Sequence, residues 1–259
     1  MKPGHNIAYA LLLLLVFTGS FVFLLQNNQW YSTGARTRPF KAALVDELSV
    51  TSPDPYLIQN VTRAMTRAGY AIDYYGPRNV TVDLFRSLPS KGYGIIVLRD
   101  HSTTVQTREV IGIVTSELFT EEKYRDEQQA GRVIHVSVGD ANADYFVITP
   151  TFVRETMQGT FPNTVLVVMG CAGLANSEMA QAFVSKGAEV YISWDQVVYA
   201  NRSDGGVILL LQSMTKGQRL DEAVVWATEN APLRSDDSSR LGYYPLDKGG
   251  LVLDLTRLS

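Results

Sequence analysis

The sequence predicts an α/β domain, a mostly parallel sheet sandwiched by helices, preceded by one N-terminal transmembrane helix. Three observations carry this reading. From Lys41 to about Thr228, short apolar runs rich in Val, Ile and Leu alternate with helical patterns. Two runs, GIIVL at 94–98 and TVLVVM at 164–169, are continuous rather than alternating, as central parallel strands covered on both faces require. Ahead of them, the stretch from Ile7 to Leu25 carries no charge at all.

Composition bounds the function classes. The 259 residues are 46% hydrophobic and 19% charged, too apolar for a disordered chain. With 23 Lys and Arg against 26 Asp and Glu, there is no basic excess for nucleic acid. The single cysteine, Cys171, excludes an intrachain disulfide framework and multi-cysteine metal clusters. No metal or cofactor is expected.

In chain order, residues 1–6 are a short tail and residues 7–25 a membrane anchor. At about 1.5 Å per residue the anchor nearly spans a hydrocarbon core of roughly 30 Å. The small residues Thr18-Gly19-Ser20 lie inside the run, which continues past them, and form no A-x-A cleavage site, which favours an anchor over a signal peptide. Lys2 on one side and Arg36, Arg38 and Lys41 on the other nearly balance the positive-inside rule. The short N-terminal tail and the sequons at Asn60, Asn79 and Asn201 fit an extracytoplasmic domain, which is the reading adopted. Residues 26–40 read as a stalk and residues 41–259 as the α/β domain.

Within that domain, Ala42–Leu48 is a strand. The helix over Pro55–Arg67 places Leu57, Ile58, Val61, Met65 and Ala68 at three- and four-residue spacing, and Gly69 stands at its cap. A strand over Tyr70–Tyr75 and a short helix over Val80–Leu88, closed by Pro89, follow. The strand Gly94–Leu98 ends at Arg99-Asp100-His101-Ser102. Arg132–Val138 and Tyr145–Thr149 flank the polar turn Gly139–Asp144 as a hairpin. A helix over Pro150–Met157 leads to the strand Thr164–Met169, which ends at Gly170-Cys171-Ala172-Gly173. The remaining pattern predicts helix Ala175–Ser185, strand Glu189–Trp194, helices Asp204–Thr215 and Leu220–Thr228, and a Pro/Asp/Ser-rich tail.

Functional groups in open α/β sheets gather beyond the carboxyl ends of the strands. Two such ends carry a thiol and an imidazole, the parts needed for nucleophilic acyl transfer. Small neighbours at Gly170, Ala172 and Gly173 let backbone amides approach Cys171, where they can stabilise an oxyanion. The N-terminus of the predicted helix after Cys171 favours thiolate, and His101 serves as general acid–base. Either residue alone reads as well as a small buried hydrophobe or a loop histidine. Asp195 and Asp204 are candidate pocket residues, Asp204 being equally an ordinary N-cap. Asp140, Asn142 and Asp144 alternate like an EF-hand opening, but Tyr145 and Thr151 stand where its Gly and Glu belong, so a polar turn is the better reading. Nucleotide-binding, serine-hydrolase and zincin motifs are absent from the sequence.

The segments IIVLRDHS and NTVLVVMGCAGLANSEMAQAFVSKGAEVYISWDQVV resemble the caspase-like (clan CD) cysteine peptidases, most nearly their gingipain-like and CHAT-type branch. The shared order is a strand ending in His, a later strand ending in Cys, a helix, a Lys186-Gly187-Ala188 turn and a strand ending in Trp194. The resemblance implies a peptide or protein substrate, with Cys171 as nucleophile and His101 as general acid–base. The backbone N–H groups of Cys171 and Ser102 would then be the oxyanion donors. Two positions depart from the family: Ser102 replaces the usual Gly after the His, and Met169 stands where members cleaving after basic residues often place Asp. The alternative is a catalytically inactive relative serving as a membrane-tethered binding or scaffold module.

Overall fold

The computed structural model describes residues 40–105, 110–138 and 143–253. The anchor at 7–25, and the stalk but for Phe40, lie outside the described residues; among those described, no helix is long and apolar enough to cross a membrane. Phe40 leads into β1 (Lys41–Asp46), and its carbonyl accepts the Ala71 N–H at the start of β2 (Ala71–Tyr75).

Between these strands runs α1 (Pro55–Arg67). The Asp54 carboxylate accepts the Leu57 N–H at 3.0 Å, and Pro55 occupies the first turn, where no amide is missed. Gly69 ends the helix at φ 80°, a left-handed conformation that glycine adopts without penalty. Leu57, Val61 and Met65 point into the core, each contributing roughly 1.5–3 kcal/mol by burial.

The main sheet has six strands in the order β10-β9-β8-β3-β1-β2, with β3 (Ile95–Arg99), β8 (Thr164–Val168), β9 (Ala188–Trp194) and β10 (Leu241–Tyr244). Only β10 runs antiparallel to its neighbour. β3 and β8 are buried at every position, the environment their continuous apolar runs predict. One face of the sheet is covered by α1, α6 (Ala200–Met214) and α7 (Leu220–Asn230). The other packs on α2 (Val82–Ser87), α4 (Pro150–Glu155) and α5 (Glu178–Ser185). The fold is thus α/β with a mostly parallel sheet flanked by helices.

The chain between β3 and β8 builds a second, four-stranded antiparallel sheet, β4-β5-β7-β6. Its strands are β4 (Ser102–Val105), β5 (Val110–Leu118), β6 (Val133–Ser137) and β7 (Asp144–Ile148), with the short α3 (Arg125–Gln129) after β5. The hairpin expected around Gly139–Asp144 is the β6–β7 pair, while β4 and β5 are additions to the expected element list. Ile113, Phe146 and Ile148 join this sheet to the α2–α5 side of the core. The segment expected to be only a tail supplies β10.

Candidate functional site

β3 and β8 are hydrogen-bonded neighbours, with Leu98 opposite Val168 and the Met169 N–H donating to the Leu98 carbonyl at 2.8 Å. His101 and Cys171 each follow that register pair by three residues, so the fold brings both to the same edge of the same two strands.

Cys171 is half-buried against the α1/α6/α7 side of the core, and its thiol donates to the Val198 carbonyl at 3.5 Å. The loop it sits on is bonded to the chain leaving β9: the Ala172 N–H donates to Gln196 and the Leu174 N–H to Trp194, both at 2.9 Å. These bonds hold Ala172 at φ 55°, a left-handed conformation costing a non-glycine residue on the order of 1–2 kcal/mol. The helix expected from Ala175 begins only at Glu178, after an irregular turn that includes Leu174–Ser177. Cys171 therefore does not sit at a helix N-terminus, and the dipole argument for a thiolate falls away.

His101 occupies the two-residue corner where the chain leaves the main sheet for β4. Its backbone N–H donates to Glu47 Oε2 at 2.7 Å, and Nδ1 lies 3.0 Å from the same oxygen. The Glu47 carboxylate is only 2% exposed, against 30% for the imidazole. A carboxylate accepts, so Nδ1 carries the hydrogen and Nε2 is the nitrogen left to exchange protons. Nε2 faces Thr51 Oγ1 at 3.4 Å. No hydrogen bond joins thiol and imidazole among the described residues; each has its own partner. Glu47 is the site residue that sequence reasoning missed. Its only signal was an acid just past the end of a strand, which any loop can supply.

Ser102 pairs with Ile113, and the Val114 N–H donates to the His101 carbonyl at 2.9 Å. That makes Ser102–Ile113 a non-hydrogen-bonded pair, so the Ser102 amide points away from β5. The two loops are in close contact: a methyl on Gly170 would lie 1.8 Å from Ser102 Oγ and 2.9 Å from Asp100 Oδ2.

Asp100 is 4% exposed, accepts Ser102 Oγ at 3.2 Å through Oδ2, and has no partner for Oδ1. Burial, with the Glu47 charge adding to it, pushes its carboxyl well above the ordinary range, and the Ser102 hydroxyl opposes this only in part. The native state therefore keeps a proton that the unfolded chain has lost. Stability from this group is full below the ordinary aspartate range and falls as pH rises toward the raised native value. Asp100→Asn should flatten that slope and be the more stable form at alkaline pH, as melting temperature against pH will show.

Below the site, Arg99 is fully buried between two carboxylates, Asp46 at 2.9 Å and Asp204 at 2.8 Å, and also donates to the Ser52 carbonyl at 2.8 Å. Burial works against its charge, but Asp204 and Asp46 outweigh it and its pKa is raised. Burial holds Asp204 above its ordinary range, with Arg99 pulling the other way. Asp204 is not at a helix start, because α6 begins at Ala200, and its 6% exposed carboxylate is paired with Arg99. Asp195 is also engaged: Oδ1 accepts the Arg240 N–H at 2.7 Å, and its own N–H donates to the Arg240 carbonyl at 3.0 Å. It fastens the approach to β10.

Asp144 pairs with His135 at 2.7 Å and accepts the Ser137 hydroxyl, the bonds of a sheet residue rather than a calcium ligand. Asp140 and Asn142 lie outside the described residues. Two cavities, of about 370 Å³ between α1 and α6 and about 420 Å³ beside α7 and β10, include neither Cys171 nor His101 in their linings. Compared with protein-family models and with curated proteins, the chain matches none.

Proposed function

We propose that this chain is a membrane-anchored cysteine endopeptidase of the caspase-like kind, using a Cys171–His101 dyad on a peptide or protein substrate. The observation that carries the reading is the shared register: His101 and Cys171 stand three residues beyond the paired residues Leu98 and Val168. In this reading, Nε2 of His101 takes the thiol proton once the side chain leaves Val198. The thiolate then attacks the scissile carbonyl, the imidazolium protonates the departing amine, and water hydrolyses the resulting thioester. Glu47 orients the imidazole, and the amides of Cys171 and Ser102 receive the oxyanion. The anchor at 7–25 holds the domain at the membrane, on its extracytoplasmic side.

A second reading, an inactive caspase-like scaffold domain, is favoured by one feature: thiol and imidazole are hydrogen-bonded elsewhere, not to each other. Labelling with peptidyl acyloxymethyl ketones of several side-chain types decides between them. The peptidase predicts covalent labelling that Cys171→Ala abolishes and His101→Ala slows by about 10²–10⁴-fold. Absence of labelling and of peptidase activity, with the cellular role intact in Cys171→Ala, would leave the scaffold.

A further inference from the structure

We propose that the buried Asp100 carboxyl is a proton-operated latch between the loops that carry His101 and Cys171. As a control on catalysis the latch rests on the peptidase reading; as a contact between two loops it does not. Asp100 follows β3 directly, precedes His101 and is 4% exposed. Oδ2 accepts the Ser102 hydroxyl at 3.2 Å, while Oδ1 has no hydrogen-bond partner among the described residues. The other loop closes on the same oxygen: a methyl on Gly170, the residue before Cys171, would lie 2.9 Å from Oδ2. Gly170 thus packs against the carboxyl so closely that a side chain has no room there. From β9, the buried Tyr191 hydroxyl donates to the Gly173 carbonyl at 3.4 Å, farther along the Cys171 loop.

The charged and titratable groups around Asp100 offer it no counterion. Arg99 is committed to Asp46 and Asp204, and the His101 imidazole turns Nδ1 to Glu47. Glu47 is itself a buried carboxylate, and the Cys171 thiol directs its proton to Val198. Tyr191 is a phenol whose pKa burial raises, the Asp100 charge adding to it, so it stays neutral. As the neutral acid, Asp100 can donate from Oδ2 to Ser102 Oγ, and the loops close over an uncharged group. Ionised, it is an unpaired charge beside Glu47, shut away from solvent. Water relieves that cost by entering where Ser102 and Gly170 pack on the carboxyl, which parts the loops. The amides of Cys171 and Ser102 flank this contact, so parting it dismantles the oxyanion site. Burial and the Glu47 charge hold the proton well beyond the ordinary aspartate range. The latch is therefore closed at low pH and opens as pH rises through the raised native value.

The test compares the full chain, held in detergent, with Asp100→Asn, a neutral isostere, by amide hydrogen exchange at matched pH. Melting temperatures confirm that the variant folds. At low pH, residues 99–103 and 169–174 should exchange alike in both proteins. Once Asp100 ionises they should exchange faster in the wild type, the ratio growing by about tenfold per pH unit until the loops are fully open, while residues 57–67 of α1 stay alike. Peptidyl acyloxymethyl ketone labelling of Cys171 should fall in the wild type relative to Asp100→Asn over the same range. Glu47→Gln, which removes the adjacent negative charge, should move the exchange transition to lower pH, a check that does not depend on the Asn variant. Equal loop exchange at every pH overturns the latch. So does a difference shared with α1, which marks a loss of stability of the whole domain. Labelling that proceeds but follows pH identically in both proteins overturns it as well. A pH-dependent loop difference with no labelling of either protein at any pH keeps the latch and removes the peptidase reading.

Discussion

Arg99→Met is expected to destabilise the domain by about 3–5 kcal/mol, because it strands two carboxylates in the interior with nothing to neutralise them. Asp46 is completely buried and Asp204 nearly so, and among the described residues the guanidinium is the only cation that pairs with them. Ser49 and Tyr74 also donate to Asp46, but hydroxyls solvate a charge without cancelling it. Replacing both acids as well, in Arg99→Met/Asp46→Leu/Asp204→Leu, should recover most of the loss, since apolar groups of similar size often replace a buried ion network at little cost. Urea unfolding of the two variants reads this directly. A small loss in the single variant would mean that water reaches the acids. The change also bears on the candidate site, because Arg99 immediately precedes Asp100 and His101.

Gly170→Ala is expected to cost about 1–3 kcal/mol and to displace the loop that carries Cys171. The added methyl would meet Ser102 Oγ at 1.8 Å and Ser102 Cβ at 2.9 Å, so turning the hydroxyl to another rotamer relieves only part of the overlap. Ser102→Gly removes both atoms. In a double-mutant cycle the pair should therefore couple by about 0.5–3 kcal/mol, with the double variant more stable than Gly170→Ala alone. Additive losses would show that the two loops are not in contact in solution. The same cycle read by thiol labelling separates a shifted Cys171 from an unfolded chain.

Much of the framework was legible because local chemistry and tertiary environment agree. Pro55 and Gly69 bracket α1 at the positions the sequence predicts, and the apolar runs of β3 and β8 match their complete burial. Where polar residues are buried, the pattern misleads. α6 starts four residues before Asp204 because Arg202 and Ser203 look like loop residues yet lie inside. Arg202 donates to carbonyls of Thr228, Ala231, Pro232 and Ser239, while Ser203 accepts from Trp194 Nε1 and donates to the Met169 carbonyl. β10 is four residues long and becomes a strand through β9, a partner that its own composition does not announce. The strand-end positions of His101 and Cys171 followed from the sequence. Glu47 did not, because only the pairing of β1 with β3 carries it to the imidazole.

The excursion through β4–β7 also has a consequence for how the domain comes into being. Leu98 and Val168 must meet across about 70 residues of intervening chain, a closure costing roughly 4 kcal/mol in chain entropy. The antiparallel sheet is built from more local pairings, so forming it first shortens the stretch that the β3–β8 encounter must close. A nascent chain that has emerged only through β7 already holds its imidazole but still lacks the strand that delivers its thiol. Whatever chemistry the two groups perform together is withheld until synthesis has passed β8.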